Sequence, residues 1–360
     1  MITPKPSRRD AVPTTPRWQR LMAEAVRDPA ELLAMLALPS EAAGSAEAAA
    51  AARRGFPLRV PRGFVARMRR GDPRDPLLLQ VLATAAETAP AAGYGHDPLA
   101  ERGSGPVAGV LHKYRGRALL VATGACAVHC RYCFRRHFPY GDEGLDRAGW
   151  DAALDHLAAD VTIAEVILSG GDPLSLADHH LAVLAGRLAA IPHLTRLRVH
   201  TRLPVVLPER VDEALLGWLT GTRLTPVVVV HANHGREIDP AVAAAFGRLR
   251  AAGVPLLNQS VLLAGVNDRA DTLADLSEAL FAAGALPYYL HLLDPVAGAA
   301  HFEVDEERAR RLVCELADRL PGYLVPRLVR EVPGAGAKVP VDLGYAACPA
   351  GEPASHCEER

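Results

Sequence analysis

From Ala118 onward the chain alternates short apolar runs with amphipathic stretches, and this alternation narrows the possible folds more than any other feature of its 360 residues. The apolar runs are Ala118–Thr123, Ile163–Ser169, Leu197–Thr201, Pro226–His231, Pro255–Val261 and Pro287–Leu292. Helical spacing fills the gaps, as at Ala177–Ala190, Glu209–Leu219, Ala241–Ala252 and Asp271–Ala283. The later runs recur about every 30 residues, the length of a strand–helix unit with its right-handed crossover. Near-continuous Val, Leu and Ile runs suit parallel strands covered on both faces. The pattern predicts an α/β fold, an open partial (β/α)6 barrel rather than a closed eight-stranded one.

Ahead of Ala118 the pattern differs. Residues 1–17 are rich in Pro, Thr and Arg and read as a disordered tail. Trp18–Leu38, the alanine-rich Glu41–Ala52, Phe64–Arg69 and Pro76–Thr88 carry helical spacing or propensity. Phe56–Pro61 is extended between them, because a residue before proline avoids the α region. The expected division is a tail at 1–17, a helical region at 18–111, the barrel at 112–325 and a C-terminal segment at 326–360. The helical region shows no chemistry of its own and reads as a structural cap.

In parallel barrels reactive groups collect at the C-terminal ends of the strands. Here those ends carry a cysteine loop after Thr123, then Ser169–Leu174, His200-Thr201-Arg202, His231-Ala232-Asn233-His234, Asn258-Gln259-Ser260 and His291–Asp294. Singly they are unremarkable; together they outline one site. Gly170-Gly171-Asp172 also lets a ligand approach the backbone, since glycine has no Cβ.

Cys126, Cys130 and Cys133 stand at C-x3-C-x2-C directly after the first apolar run. Zinc sites favour C-x2-C pairs matched by a second pair, and none lies nearby. A cubane iron–sulfur cluster is normally held by four thiolates. Three at this spacing cap three irons and leave the fourth open to a ligand. A zinc knuckle or incidental thiols is the competing reading. Cys348, His356 and Cys357 are too few and too spread for zinc, and Cys314, with Leu312 and Leu316, reads as a core thiol.

Of 40 basic residues only Lys5, Lys113 and Lys338 are lysine. A lysine retained in such a chain is a candidate for chemistry that arginine cannot perform. Lys5 falls in the tail. Lys338 lies in the small-residue loop Pro333-Gly334-Ala335-Gly336-Ala337-Lys338-Val339-Pro340, where its amine can swing. Lys113-Tyr114-Arg115-Gly116-Arg117 offers cations and donors of the kind a phosphate needs.

The run Cys130-Arg131-Tyr132-Cys133-Phe134-Arg135-Arg136-His137-Phe138-Pro139-Tyr140 resembles the radical S-adenosylmethionine superfamily and, within it, the lysine 2,3-aminomutase family. It is most similar to the branch that supplies β-lysine for modification of translation elongation factor P. The resemblance extends from about Trp18 to Asp342. It implies a TIM-like partial barrel with a [4Fe-4S] cluster on Cys126, Cys130 and Cys133. It further implies S-adenosyl-L-methionine against Gly170, Gly171, Asp172, His231 and Gln259, and pyridoxal 5′-phosphate carried by the catalytic Lys338. By the same resemblance Tyr114 and Arg117 meet the phosphate, with Lys113 where these aminomutases carry arginine. Arg135 takes the substrate carboxylate, and Asp294 and Glu331 take its side-chain ammonium. Glu331 is one methylene longer than the family's aspartate. The implied activity is an isomerase that moves an amino group between adjacent carbons and turns L-lysine into β-lysine.

Bulk properties fit that picture. A formal net charge of −1 gives no basic bias, so nucleic acid is not an implied partner. No 18-residue apolar run occurs and Met1–Asp10 is polar, so neither a membrane nor a signal peptide is expected. Six cysteines, three of them clustered, suit a reducing cytoplasm. The expected partners are L-lysine and an external reductase for the cluster; a homo-oligomer is compatible with the sequence. The rival readings are a free-standing metabolic lysine 2,3-aminomutase and a non-catalytic metal-binding scaffold.

Overall fold

The computed structural model describes residues 15–44, 46–103, 105–143 and 147–344. Residues 1–14 of the expected tail, and Cys348, His356 and Cys357, lie outside the described residues. One nine-stranded sheet organises the rest, with its strands in chain order. They are β1 (Val110–Tyr114), β2 (Arg117–Thr123), β3 (Glu165–Gly170), β4 (Arg196–Thr201), β5 (Thr225–Val230), β6 (Leu256–Val261), β7 (Leu286–His291), β8 (Arg327–Arg330) and β9 (Val339–Pro340). Neighbours from β2 through β8 are parallel, while β1 and β9 pair antiparallel at the two edges. The sheet stays open, as a partial barrel does. Its six expected parallel strands appear within two residues of the expected positions, and β1, β8 and β9 extend it.

Register sets where the strands end. Thr123 lies opposite Gly170, Thr201 opposite Val230, and Val261 opposite His291. The residues that follow these ends therefore emerge along one rim. The strands earn their position by burial: Val166, Leu168, Val199, Val230 and Leu290 are fully covered, each worth ~1.5–3 kcal/mol relative to exposure.

The crossover helices cover the outer face with apolar stripes at helical spacing. Asp178–Ala189 buries Leu181, Leu184, Ala185 and Leu188, and Pro240–Ala251 buries Val242, Ala245, Phe246 and Leu249. Asp239 accepts from the Val242 amide and Pro240 occupies the first turn, so the start of that helix is fixed locally. The helix Glu306–Arg319 carries Cys314 half-buried, its thiol 3.8 Å from the Leu343 carbonyl, rather than in the core.

The front region is less helical than its composition suggests. Trp18–Leu38 divides into Arg17–Ala23 and Pro29–Met35, because the stretch before Pro29 leaves the α region. Val26 instead exchanges two backbone hydrogen bonds with Val60, at 2.8 and 3.0 Å. Glu41–Ala52 divides into a 3-10 turn and the helix Ala46–Gly55. Phe64–Arg69 shrinks to one turn at Arg62–Val65, and Pro76–Thr88 to Pro76–Leu79 plus a 3-10 turn. Pieces this short are held by packing rather than by propensity. Their function as a cap without chemistry also needs correcting, as the site shows.

Candidate active site

The cysteine loop begins at the end of β2 and is tied to the end of β3. The Gly171 amide donates to the Thr123 carbonyl at 2.7 Å and the Asp172 amide to the Ala125 carbonyl at 2.8 Å. A Cβ on Gly171 would lie 2.5 Å from the Ala125 oxygen, and one on Gly170, whose φ is +115°, would lie 2.6 Å from the Thr123 oxygen. These glycines thus admit the backbone of the cysteine loop. Both glycines also line the cavity.

Asp172 is likewise committed internally. Its carboxylate accepts from the amides of Leu174, Arg202 and Leu203 and from the Thr201 hydroxyl, at 2.7–3.0 Å. It fastens β3 to β4 while lining the cavity.

A cavity of about 400 Å³ opens along the rim. Every residue that the resemblance assigned to a cofactor or the substrate lines it: Cys126, Cys130 and Cys133; Gly170, Gly171 and Asp172; His231 and Gln259; Lys113, Tyr114 and Arg117; Arg135, Asp294, Glu331 and Lys338. Such a volume suits a small-molecule site.

Within it the ionic partners are specific. Arg135 is held by Glu101 through two hydrogen bonds, at 2.7 and 3.0 Å, with Ser169 at 3.2 Å on its third nitrogen. Glu101 also accepts from Lys113 at 3.0 Å. Lys338 is ion-paired with Glu331, which accepts the Tyr114 hydroxyl at 2.7 Å. Asp294 makes no side-chain hydrogen bond among the described residues. Arg117 makes none either; its guanidinium lies over the Tyr114 ring.

Burial keeps the histidines neutral. It pushes His231 down to about 4, helped by the charges of Arg202 and Lys338, and it lowers His200 and His291 well below their ordinary range. The Nε2 atoms of His200, His291 and Gln259 are buried with no hydrogen-bond partner among the described residues. Orphaned donors or acceptors lining a cavity are the groups a ligand satisfies.

The sequence did not reveal the residues that hold the arginines. Glu87 receives Arg131 at 2.7 Å and Arg136 at 2.6 Å, and Glu101 receives Arg135, all of them buried. Both acids come from the region read as a cap. The one local signal, three arginines close behind buried cysteines, implied acidic partners without locating them.

The comparisons with known proteins follow this geometry. A family model described as the radical SAM superfamily matches residues 120–276. An L-lysine 2,3-aminomutase of Escherichia coli (strain K12) is 50% identical over 331 residues, covering 92% of this chain and 96% of that protein. The chain belongs to the L-lysine 2,3-aminomutase family. A Haemophilus influenzae member is 50% identical over 88% of this chain and 93% of its own length. The Clostridium subterminale aminomutase is 37% identical over 76% of this chain and 66% of its own.

Membership in this aminomutase family brings a 4Fe-4S cluster, S-adenosylmethionine and pyridoxal phosphate, and the residues fit all three. The three thiols are unbridged and share the cavity. Among the described residues no three His, Cys, Asp or Glu converge as a single ion requires. Three thiolates on one loop fit a cluster, in which each caps its own iron. Gln259, His200 and His291 present orphaned atoms to a ligand. Lys338 supplies a primary amine, and Arg117 a cation with no side-chain acceptor among the described residues, as a carbonyl-bearing phosphate cofactor needs. No helix among the described residues is long and apolar enough to cross a membrane.

Proposed function

We propose that this chain isomerises L-lysine to β-lysine, with Cys126, Cys130 and Cys133 holding the cluster and Lys338 anchoring pyridoxal phosphate. When bound, the groups supply one-electron hydrogen abstraction and an electrophilic carbonyl for the migrating nitrogen. The chain's own part is to bind, orient and exclude water. Gly170, Gly171, Asp172, His231 and Gln259 meet S-adenosylmethionine, and the first three also hold the cysteine loop in place. Arg117, with Tyr114 and Lys113 alongside, meets the phosphate. Arg135, fixed in place by Glu101, receives the substrate carboxylate on its remaining edge.

The observation that carries this reading is Asp294. A carboxylate without a side-chain hydrogen bond among the described residues lines the same cavity as the three thiols and Lys338. A cation taken from water must be met by an anion in a closed site, and the ε-ammonium of lysine supplies that match. Reconstitution with iron, sulfide and pyridoxal phosphate under anaerobic conditions, followed by turnover of lysine, ornithine, glutamate and alanine, tests it. Lysine should be preferred; a preference for glutamate or alanine would overturn the substrate while leaving the aminomutase class intact.

We further propose that an external reductant charges the cluster and that the β-lysine serves modification of translation elongation factor P. The helical front region, which resembles the same region of that branch, supports this destination over a free metabolic pool. Mass spectrometry of elongation factor P from cells with and without this protein checks it.

A further inference from the structure

The three thiols do not meet equivalent surroundings. Cys133 is met by the backbone N–H of Arg135. Cys126 makes no side-chain hydrogen bond among the described residues. Arginines lie near all three, Arg59 by Cys126 and Arg135 and Arg136 by Cys133, but among the described residues only Cys130 takes a hydrogen bond from a cationic side chain: Arg202 Nη1 lies 2.7 Å from its sulfur.

That guanidinium is buried and fixed from several directions. The same Nη1 reaches the Tyr132 hydroxyl at 2.6 Å, and Nη2 reaches Gln80 Oε1 at 2.6 Å and Glu237 Oε2 at 3.0 Å. Asn233 Nδ2 donates to the Tyr132 oxygen at 2.7 Å and to Gln80 Oε1 at 3.0 Å. The other Glu237 oxygen accepts from the Asn233 and His234 amides and from Gln80 Nε2. The network joins the front region, the cysteine loop and the rims of β4 and β5. Holding one cation this firmly against one sulfur exceeds what packing requires.

Resting on the cluster reading above, we propose that Arg202 tunes the reduction potential of the cluster by donating a charge-assisted hydrogen bond to the sulfur of Cys130. Reduction adds one electron from an external reductant to the cluster and makes it more negative by one charge. A cationic donor on a ligand sulfur draws electron density from the iron which that sulfur caps, so the added electron is better tolerated and the potential rises. Arg202 is thus a positioning and tuning residue, acting through Cys130.

The test uses reconstituted wild type, Arg202→Met, Arg202→Lys and Tyr132→Phe, with iron and sulfide counted. Dithionite titration followed by electron paramagnetic resonance reads the midpoint potential, and double resonance in deuterated buffer reads exchangeable protons near the cluster. Arg202→Met should lower the midpoint and lose the exchangeable-proton coupling. Arg202→Lys should fall between, and Tyr132→Phe, which removes a neutral hydroxyl that also hydrogen-bonds Cys130, should lower the midpoint less than Arg202→Met. Should Arg202→Met fail to load a cluster, the other two variants carry the test, since both keep a cation opposite Glu237. Unmoved midpoints in cluster-replete variants overturn the proposal. So does a loss of S-adenosylmethionine affinity at an unchanged midpoint, which would assign Arg202 to that cofactor instead. A wild type that takes up no cluster overturns the cluster reading itself.

Discussion

Lys338 and Glu331 form an ion pair inside the cavity, and the second Glu331 oxygen accepts the Tyr114 hydroxyl at 2.7 Å. Burial would raise the Glu331 carboxyl, but Lys338 and Tyr114 leave it below its ordinary value. The extra methylene of glutamate is used in reaching these two partners. Asp294 is left as the cavity carboxylate with no hydrogen-bond partner among the described residues. The two acids expected to share the substrate ammonium are therefore unequal.

That inequality sets the first prediction. Removing one partner of a buried ion pair costs about 3–5 kcal/mol, and ~1.4 kcal/mol is a factor of ten. Asp294→Ala should lower kcat/KM for lysine at least ~100-fold, and Glu331→Ala should lower it less. Steady-state assays under anaerobic conditions decide it; equal losses, or a harmless Asp294→Ala, would contradict the assignment.

Acidity supplies the second. Burial, and then the neighbouring Glu331 carboxylate, push the Asp294 carboxyl up to about 7 against the pull of Lys338. A carboxyl raised on folding is neutral and costs nothing below its ordinary value of 3.8. Its ionisation then costs stability increasingly as pH rises toward 7, and the cost stays constant above. In the cofactor-free protein Asp294→Asn should accordingly raise Tm more at pH 8 than at pH 5. The same ionisation is what an ammonium requires, so lysine binding should strengthen from pH 6 to pH 8 and lose that dependence in Asp294→Asn. Calorimetry at the two pH values and binding titrations read both effects.

The six central strands were legible because each is a buried apolar run closed by a polar rim residue, as in Glu165–Gly170 or Arg196–Thr201. β1 and β9 are edge strands, and β8 is a four-residue strand ending in Arg330. None leaves a periodic signal of its own. Alanine and leucine in the front region signal helix, whereas Asp28-Pro29 and Asp75-Pro76 each restart the chain with a capped turn. Reactive residues could be read locally, since thiol spacing and a rare lysine are properties of a short segment. Their supports could not: Glu101 meets Arg135 across 34 residues, and Gln80 meets Arg202 across 122. Only the folded chain brings such pairs together.

A third prediction concerns the glycine that admits the cysteine loop. A methyl on Gly171 would meet backbone atoms of Ala125 and Gly124 at 2.5–2.8 Å, which have no flexible end to yield. Overpacking of this kind costs about 1–3 kcal/mol. Gly171→Ala should lower Tm and reduce the iron bound per chain. Gly186, in the helix Asp178–Ala189, has open space at the same position. Gly186→Ala should raise stability by ~1 kcal/mol through helix propensity. Thermal melts and iron analysis of the pair separate a steric effect on the loop from a general effect of alanine.

The last prediction distinguishes the two lysines that line the cavity. Lys113 is held by Glu101 at 3.0 Å and by the Leu99 carbonyl at 3.3 Å, so its ammonium has fixed partners away from the small-residue loop. Lys338 stands on that loop, beside β9, with the Tyr289 ring 5.7 Å from its nitrogen. A planar pyridine ring attached there would find an aromatic neighbour, and Arg117, which makes no side-chain hydrogen bond among the described residues, would meet a phosphate. Borohydride reduction of the loaded protein should fix the cofactor to Lys338, and peptide mapping should recover it on that residue alone. Lys338→Arg keeps the charge opposite Glu331 but lacks a primary amine, so it should fold, retain its cluster and lose the label. Recovery of the label on Lys113, or an undiminished label in Lys338→Arg, would show that the wrong lysine carries the cofactor.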